Sequence, residues 1–247
     1  LYEALSIIKG GLSIACGVLK THLDRGGLMA QILGIVQVKG GVGRSTIATN
    51  LAAIYSLKKP TALIDCDLPQ GTSASWYAVR KSEVPPKNLT LATAGDQHQL
   101  LELCRELGRE HRYIIIDAPP RLAEMTMAII MLSNLCLVPL GASAAEIWST
   151  TDLLKTISEA GKKRGDIDVR LVWNRFRGQT REAQELSEAV GKELGLKALS
   201  TRLGYRVAYS EALARGLSVD EWLDRNAHSE MRALADEVRT ILKEKKR

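Results

Sequence analysis

Six short runs, Ile32–Val38, Thr61–Ile64, Leu89–Ala92, Tyr113–Ile116, Leu135–Pro139 and Val169–Trp173, are almost wholly apolar, and each is followed by a stretch of helical period. A strand that is apolar along its whole length has both faces buried, and the intervening helices supply the cover. The alternation predicts an α/β fold, a single mostly parallel twisted sheet with helices on both faces. In such sheets ligands collect at the carboxyl ends of the strands. Three of those ends carry polar chemistry here: Gly40 to Arg44 after the first run, Asp65 and Asp67 after the second, and Asp117 after the fourth.

The first end reads Lys39-Gly40-Gly41-Val42-Gly43-Arg44-Ser45-Thr46 and opens a helix-like run that continues to Leu57. Glycines let successive backbone N–H groups curl around phosphate oxygens, and the helix N-terminus adds the positive end of its dipole. The usual loop is G-x-x-x-x-G-K-[ST], whose final hydroxyl meets Mg²⁺; Ser45 holds that position. Two letters differ. Lys39 opens the loop with no glycine at the motif's first position, and Arg44 stands where the phosphate lysine belongs.

Asp65 and Asp67 are one residue apart at a strand end, and in an extended chain side chains two apart project to the same side. Both can then face a Mg²⁺ ion or an attacking water. A polar strand end that caps a helix is the alternative for either one. Asp117 follows Ile114-Ile115-Ile116 and precedes Ala118-Pro119-Pro120. That is the form of the second phosphate-loop motif, whose aspartate holds Mg²⁺ directly or through water.

With these motifs, Pro69-Gln70 and Trp173-Asn174-Arg175 in view, the chain resembles the ParA/MinD superfamily of deviant Walker-A P-loop ATPases, and in particular the small ParA type. The resemblance runs from about Gln31 to Trp222 and takes in Thr201-Arg202, Tyr209, Glu211-Ala212 and Gly216. It implies an ATP- and Mg²⁺-dependent ATPase that segregates plasmids, chromosomes or protein cargo. It further implies a homodimer closed on ATP, a small ParB-like or cargo-adaptor partner, and a cytoplasmic, nucleoid-associated protein. By resemblance, Lys39 reaches across the dimer to the partner's phosphates and Asp67 positions the attacking water. Asp65 and Asp117, with Ser45, serve Mg²⁺. Gly40, Gly41, Val42, Gly43, Arg44, Ser45 and Thr46 cradle the phosphates, and Asn174 reads adenine.

Two departures bear on activity. Arginine is not equivalent to lysine: it keeps the charge, but its planar fork is larger than the compact ammonium that fits over the β- and γ-phosphates. The expectation is that binding survives while hydrolysis slows. Leu68 also separates Asp67 from Pro69 where the family reads Asp-Pro-Gln, which can shift the aspartate. A scaffold that binds ATP without significant turnover is therefore the alternative function.

Other members of the superfamily fit less well. No cysteine directly follows the Asp117 motif, as a bridged iron–sulfur dimer needs, and no C-x-x-C occurs. Cys16, Cys66, Cys104 and Cys136 are widely spaced and read as reduced thiols. The segment Met231 to Arg247 places apolar residues at 231, 234, 238, 241 and 242, a surface helix packing one face, without the bulky face of a membrane anchor. Residues 1–28 contain no strand pattern and read as an N-terminal extension or short helical appendage to a domain over 29–247. A recognition module of ~100 residues does not fit there. Lys plus Arg number 34 against 28 Asp plus Glu, a net charge of +6, compatible with polyanion binding. Any DNA binding is then non-specific, with Arg202, Arg206 and Arg215 as candidates.

Overall fold

The computed structural model describes residues 30–120, 123–141, 144–148, 150–177, 190 and 193–244. The expected appendage over 1–28, with Cys16, lies outside the described residues. Strands β1 (Gln31–Ile35), β2 (Thr61–Asp65), β3 (Leu89–Thr93), β4 (Tyr113–Asp117), β5 (Leu135–Leu140), β6 (Val169–Phe176) and β7 (Lys197–Gly204) form one sheet in the order β3-β2-β4-β1-β5-β6-β7. Every neighbouring pair is parallel. The helices that position the site and cover the sheet are α1 (Arg44–Ser56), α2 (Thr72–Glu83), α3 (Gln97–Leu107), α4 (Ala123–Leu132), α5 (Ala144–Trp148), α6 (Thr151–Lys163), α7 (Ala208–Ala214) and α8 (Arg225–Glu244).

β1, β2, β4 and β5 bury both faces because consecutive residues alternate sides, while β3, at the edge, is partly exposed. Leu33, Ile35, Leu63, Ile115 and Leu137 join Leu51, Tyr55, Trp76, Ala212 and Leu234 in one core, under α1, α2, α7 and α8. Ile32, Val36, Ala62, Ile64, Ile114 and Ile116 join Leu100, Cys104, Met125, Ile129 and Leu153 in the other, under α3, α4 and α6. Cys66, Cys104 and Cys136 are buried thiols outside any disulfide among the described residues. The apolar stripe of α8 is buried at Met231, Leu234, Val238, Ile241 and Leu242, as its spacing indicated.

All six expected strands are present, with two differences at the edges of the pattern. β1 stops at Ile35, short of Val38. Val36 N–H still bonds Leu137 O, but Val38 N–H is taken by the Gln37 side chain, so the chain leaves the ladder to enter the loop. β7 was not expected. It is a sheet edge in which only Leu199 and Leu203 are buried, so the run is never continuously apolar.

β1 lies in the middle, with β4 on one side and β5 on the other, so the crossovers diverge beside its carboxyl end. Register sets Asp117 level with Ile35 on one side and with Asp65 on the other. The polar ends seen in sequence are therefore brought to one crevice.

The segment that follows α7 is stapled to α2. Arg80 forks onto Glu221 at 2.8 and 2.9 Å and reaches the carbonyl of Gly216 at 3.0 Å, while Trp76 Nε1 donates to Leu217 O. Arg80→Met is expected to cost about 2 kcal/mol, because it strands a half-buried carboxylate. Urea unfolding checks this; a loss below ~0.5 kcal/mol would mean that solvent already satisfies Glu221.

Candidate functional site

The loop after β1 turns on Gly43, which sits at φ 95° at the N-terminus of α1. A side chain there would be strained by the left-handed backbone. A Cβ would also lie 2.2 Å from Asn174 Nδ2. Asn174, at the end of β6, donates that amide nitrogen to Val42 O at 2.7 Å. The loop and the residue proposed to read a base are thus joined directly. The bond also fixes the amide's orientation and leaves Oδ1 as the acceptor, which suits an exocyclic amine.

Arg44 is turned into its own loop. Nη1 donates to the carbonyls of Gln37 at 2.6 Å and Lys39 at 2.7 Å, and Nη2 lies 3.7 Å from Asp67 Oδ2. The side chain is only 6% exposed. Burial draws the guanidinium below its ordinary pKa, against the charges of Asp117 and Asp67. Lys39, Gly40, Gly41, Val42, Ser45 and Thr46 complete the loop, with Lys39 half-buried and Gly40 and Gly41 at its exposed rim.

The carboxylates have separate roles. Asp65 is fully buried; Oδ1 accepts from Asp67 N–H at 2.9 Å and Oδ2 from Ala74 N–H at 2.8 Å, in the first turn of α2. The capping alternative is thus realised at Asp65. The shared side expected for Asp65 and Asp67 does not follow from strand period, because β2 ends at Asp65. Instead Asp67 faces Arg44, and its pKa is raised by burial, with Arg44 pulling it down and Asp65 pushing it up.

Asp117 is fully buried and its pKa is pushed up to about 7 by that burial, against the stabilising effect of the Ser45 and Ser73 hydroxyls. Ser73 was not foreseen; its hydroxyl donates to Asp117 Oδ2 at 2.8 Å, a contact that no local motif announces. Asp117 Oδ1 and Arg44 Nε are both buried without a hydrogen-bond partner. An orphaned acceptor and an orphaned donor thus stand within one electrostatic neighbourhood.

Beyond Gly43 and Thr46 a cavity of about 390 Å³ is lined by Asn174, Arg175, Arg206, Tyr209 and Leu213, among others. Arg206 differs from expectation. Its guanidinium is held by Glu230 at 2.7 Å rather than offered to solvent, and it belongs to the cavity wall. Arg202 lies over the Phe176 ring at 4.9 Å, and Arg215 over Trp222 at 5.1 Å. Arg177, absent from the sequence expectation, stacks over Tyr205 at 4.3 Å beside the cavity mouth.

A parallel sheet whose first strand delivers a glycine-rich loop to a helix N-terminus, with acidic residues at the next strand ends, defines a P-loop nucleotide-binding domain. The profile of the CobQ/CobB/MinD/ParA nucleotide binding domain matches residues 33–219, and the chain belongs to that family. It is 27% identical over 214 residues to maintenance of carboxysome distribution protein A of Halothiobacillus neapolitanus, covering 86% of this chain and 94% of that protein. It is 27% identical over 247 residues to the chromosome-partitioning ATPase Soj of Thermus thermophilus, covering 86% and 96%. MinD of Pyrococcus horikoshii complexed with Mg-ADP shares the fold at a TM-score of 0.67 and 17% identity, over 85% of this chain and 96% of that one. The Cyanothece McdA–ATP complex does so at 0.67 and 18%, over 86% and 97%. No helix among the described residues is long and apolar enough to cross a membrane.

Proposed function

We propose that the chain binds ATP with Mg²⁺ and hydrolyses it slowly, as a ParA-type ATPase that positions plasmid, chromosome or protein cargo. The observation that carries this is the pair of orphaned groups at the loop. Arg44 Nε calls for an anion and Asp117 Oδ1 for a cation, which a magnesium-bound phosphate supplies together. Ser45 and Asp117 are hard oxygen donors, and Mg²⁺ takes one or two such groups beside substrate phosphates and waters. When bound, the ion neutralises charge on the transferring phosphoryl group. Asp65 serves it through water while capping α2. Loop N–H groups from Gly40 to Thr46 hold the phosphates, and Asp67 orients the attacking water. The names of the relatives, one maintaining carboxysome distribution and one partitioning chromosomes, support a cargo-moving role. A phosphate-release assay on the whole chain tests the reading, and no release above buffer with DNA and partner present would favour an ATP-binding scaffold. Burial of Arg44 against its own loop is the feature that favours this second reading.

Closure on ATP forms a homodimer in which Lys39, at the mouth of the loop, meets the partner's phosphates, since Arg44 is turned inward onto the loop carbonyls and leaves that mouth to Lys39. Lys39→Ala is expected to weaken the ATP-dependent dimer in light scattering. A parent that stays monomeric under saturating ATP would remove the sandwich arrangement.

DNA is bound non-specifically by exposed Arg215 and half-buried Arg202, with Arg206 contributing less because Glu230 neutralises it. Dimer closure doubles the phosphate contacts, so ATP strengthens binding. Titrations of random duplexes are expected to show affinity falling steeply with salt and varying little with sequence. A small ParB-like or cargo-adaptor protein completes the system. No binding at low salt with ATP or ADP would exclude nucleoid tracking.

A further inference from the structure

We infer that Glu230, on α8, is a positioning residue for the nucleoside half of the site: it anchors the segment from the end of β7 to the start of α7 that walls the cavity and thereby sets how firmly a purine base is held. This rests on the nucleotide reading above. One carboxylate accepts from Gly204 N–H at 3.0 Å, from Tyr209 O–H at 3.1 Å and from Arg206 at 2.7 to 3.2 Å. All three donors line the cavity: Gly204 closes β7, Arg206 lies in the connection and Tyr209 in the first turn of α7. Glu230 is not itself in the lining, so it acts through them.

The fit is close. A Cβ at Gly204 would lie 3.1 Å from Glu230 Oε1 and 3.3 Å from Arg206 Nε, so the ion pair rests directly on the backbone. Tyr209 is buried, and its hydroxyl without this acceptor would carry the penalty of an unmade hydrogen bond. Asn174, also in the lining, is already fixed by Val42. A base entering the cavity therefore meets one wall set by the phosphate loop and another set by α8.

α8 contains its own comparison. Two turns further on, Glu237 accepts from Ser200 N–H at 2.7 Å and from Thr201 N–H and O–H at 2.9 and 2.7 Å. It ties α8 to β7 in the same way, but none of its partners lines the cavity. If Glu230 did no more than dock the helix, the two carboxylates would be interchangeable in their effect on ligands.

The test uses the whole chain with Mg²⁺ and a ribose-labelled fluorescent ATP, titrated into the parent, Glu230→Gln and Glu237→Gln, with inorganic triphosphate as competitor. Glu230→Gln is expected to raise the Kd for ATP about tenfold and to leave the competitor's Kd unchanged, because the phosphate loop keeps its own contacts. Glu237→Gln is expected to leave both within about twofold. Tyr209→Phe, which removes a single hydroxyl, is expected to move ATP in the same direction by about threefold and guards against misfolding of the first variant. Equal weakening of ATP and triphosphate, equal effects of the two glutamine variants, or unchanged ATP affinity in Glu230→Gln and Tyr209→Phe would each overturn the inference. A parent that binds no ATP would overturn the nucleotide reading and this inference with it.

Discussion

Replacing Arg44 with lysine is expected to raise ATP turnover tenfold or more, a barrier change on the order of 1.4 kcal/mol. The guanidinium has three attachments that a bound phosphate must share or break: two loop carbonyls, at 2.6 and 2.7 Å, and the Asp67 carboxylate at 3.7 Å. The last matters most, since Asp67 is the residue proposed to orient water. While it faces a rigid, planar cation it is drawn toward the loop rather than toward the attacking position. A lysine ammonium is compact, rotates its three donors freely and can move with the phosphates. In the lysine background Asp67→Ala is then expected to abolish turnover while ATP still binds, because the cradle is intact. Steady-state phosphate release on the three chains checks both steps. A lysine variant no faster than the parent would mean that the loop already compensates for the arginine.

The second large effect is expected at Gly43. Alanine there meets two obstacles at once: a backbone at φ 95°, and Asn174 Nδ2 at 2.2 Å from the new Cβ. The left-handed conformation alone costs about 1–2 kcal/mol for a residue with a Cβ. Relieving the clash means breaking the Asn174–Val42 bond that joins the loop to the cavity. Gly43→Ala should therefore lose about 2 kcal/mol or more of stability and weaken ATP at least ~100-fold. Gly40→Ala serves as the stability control, since a Cβ there meets nothing within 4 Å. It is expected to unfold within ~0.5 kcal/mol of the parent. Thermal unfolding and ATP titration of both variants decide the matter, and a Gly43→Ala chain within threefold of the parent in affinity would contradict it.

How much of this was legible in the sequence follows from where each interaction is made. The sheet was legible because most of its strands, β1, β2, β4 and β5 above all, are buried along their whole length, a pattern carried by consecutive apolar residues. β7 was not, because only two of its eight residues, Leu199 and Leu203, are buried and the rest of the run is polar or small. The loop and Asp117 could be read because each is a local motif next to its strand. The roles of Asp65 and Asp67 were only partly readable, since the chain leaves the extended conformation between them and the period-two rule stops at Asp65. Ser73, Glu230 and the pairing of Arg206 were out of reach. Ser73 meets Asp117 across 44 positions and Arg206 meets Glu230 across 24, and nothing in the neighbouring residues marks either contact. The inward turn of Arg44 was also hidden: a basic residue in a phosphate loop reads as facing phosphate until the loop's own carbonyls are placed around it.

The most direct measurement is an equilibrium titration of the unmodified chain with ATP and Mg²⁺, followed by calorimetry. Saturable binding of about one nucleotide per chain is expected, weakened when Mg²⁺ is chelated and lost in Gly43→Ala. Heats no larger than dilution at millimolar ATP, or binding that Gly43→Ala leaves intact, would contradict a nucleotide site built on the loop from Lys39 to Thr46.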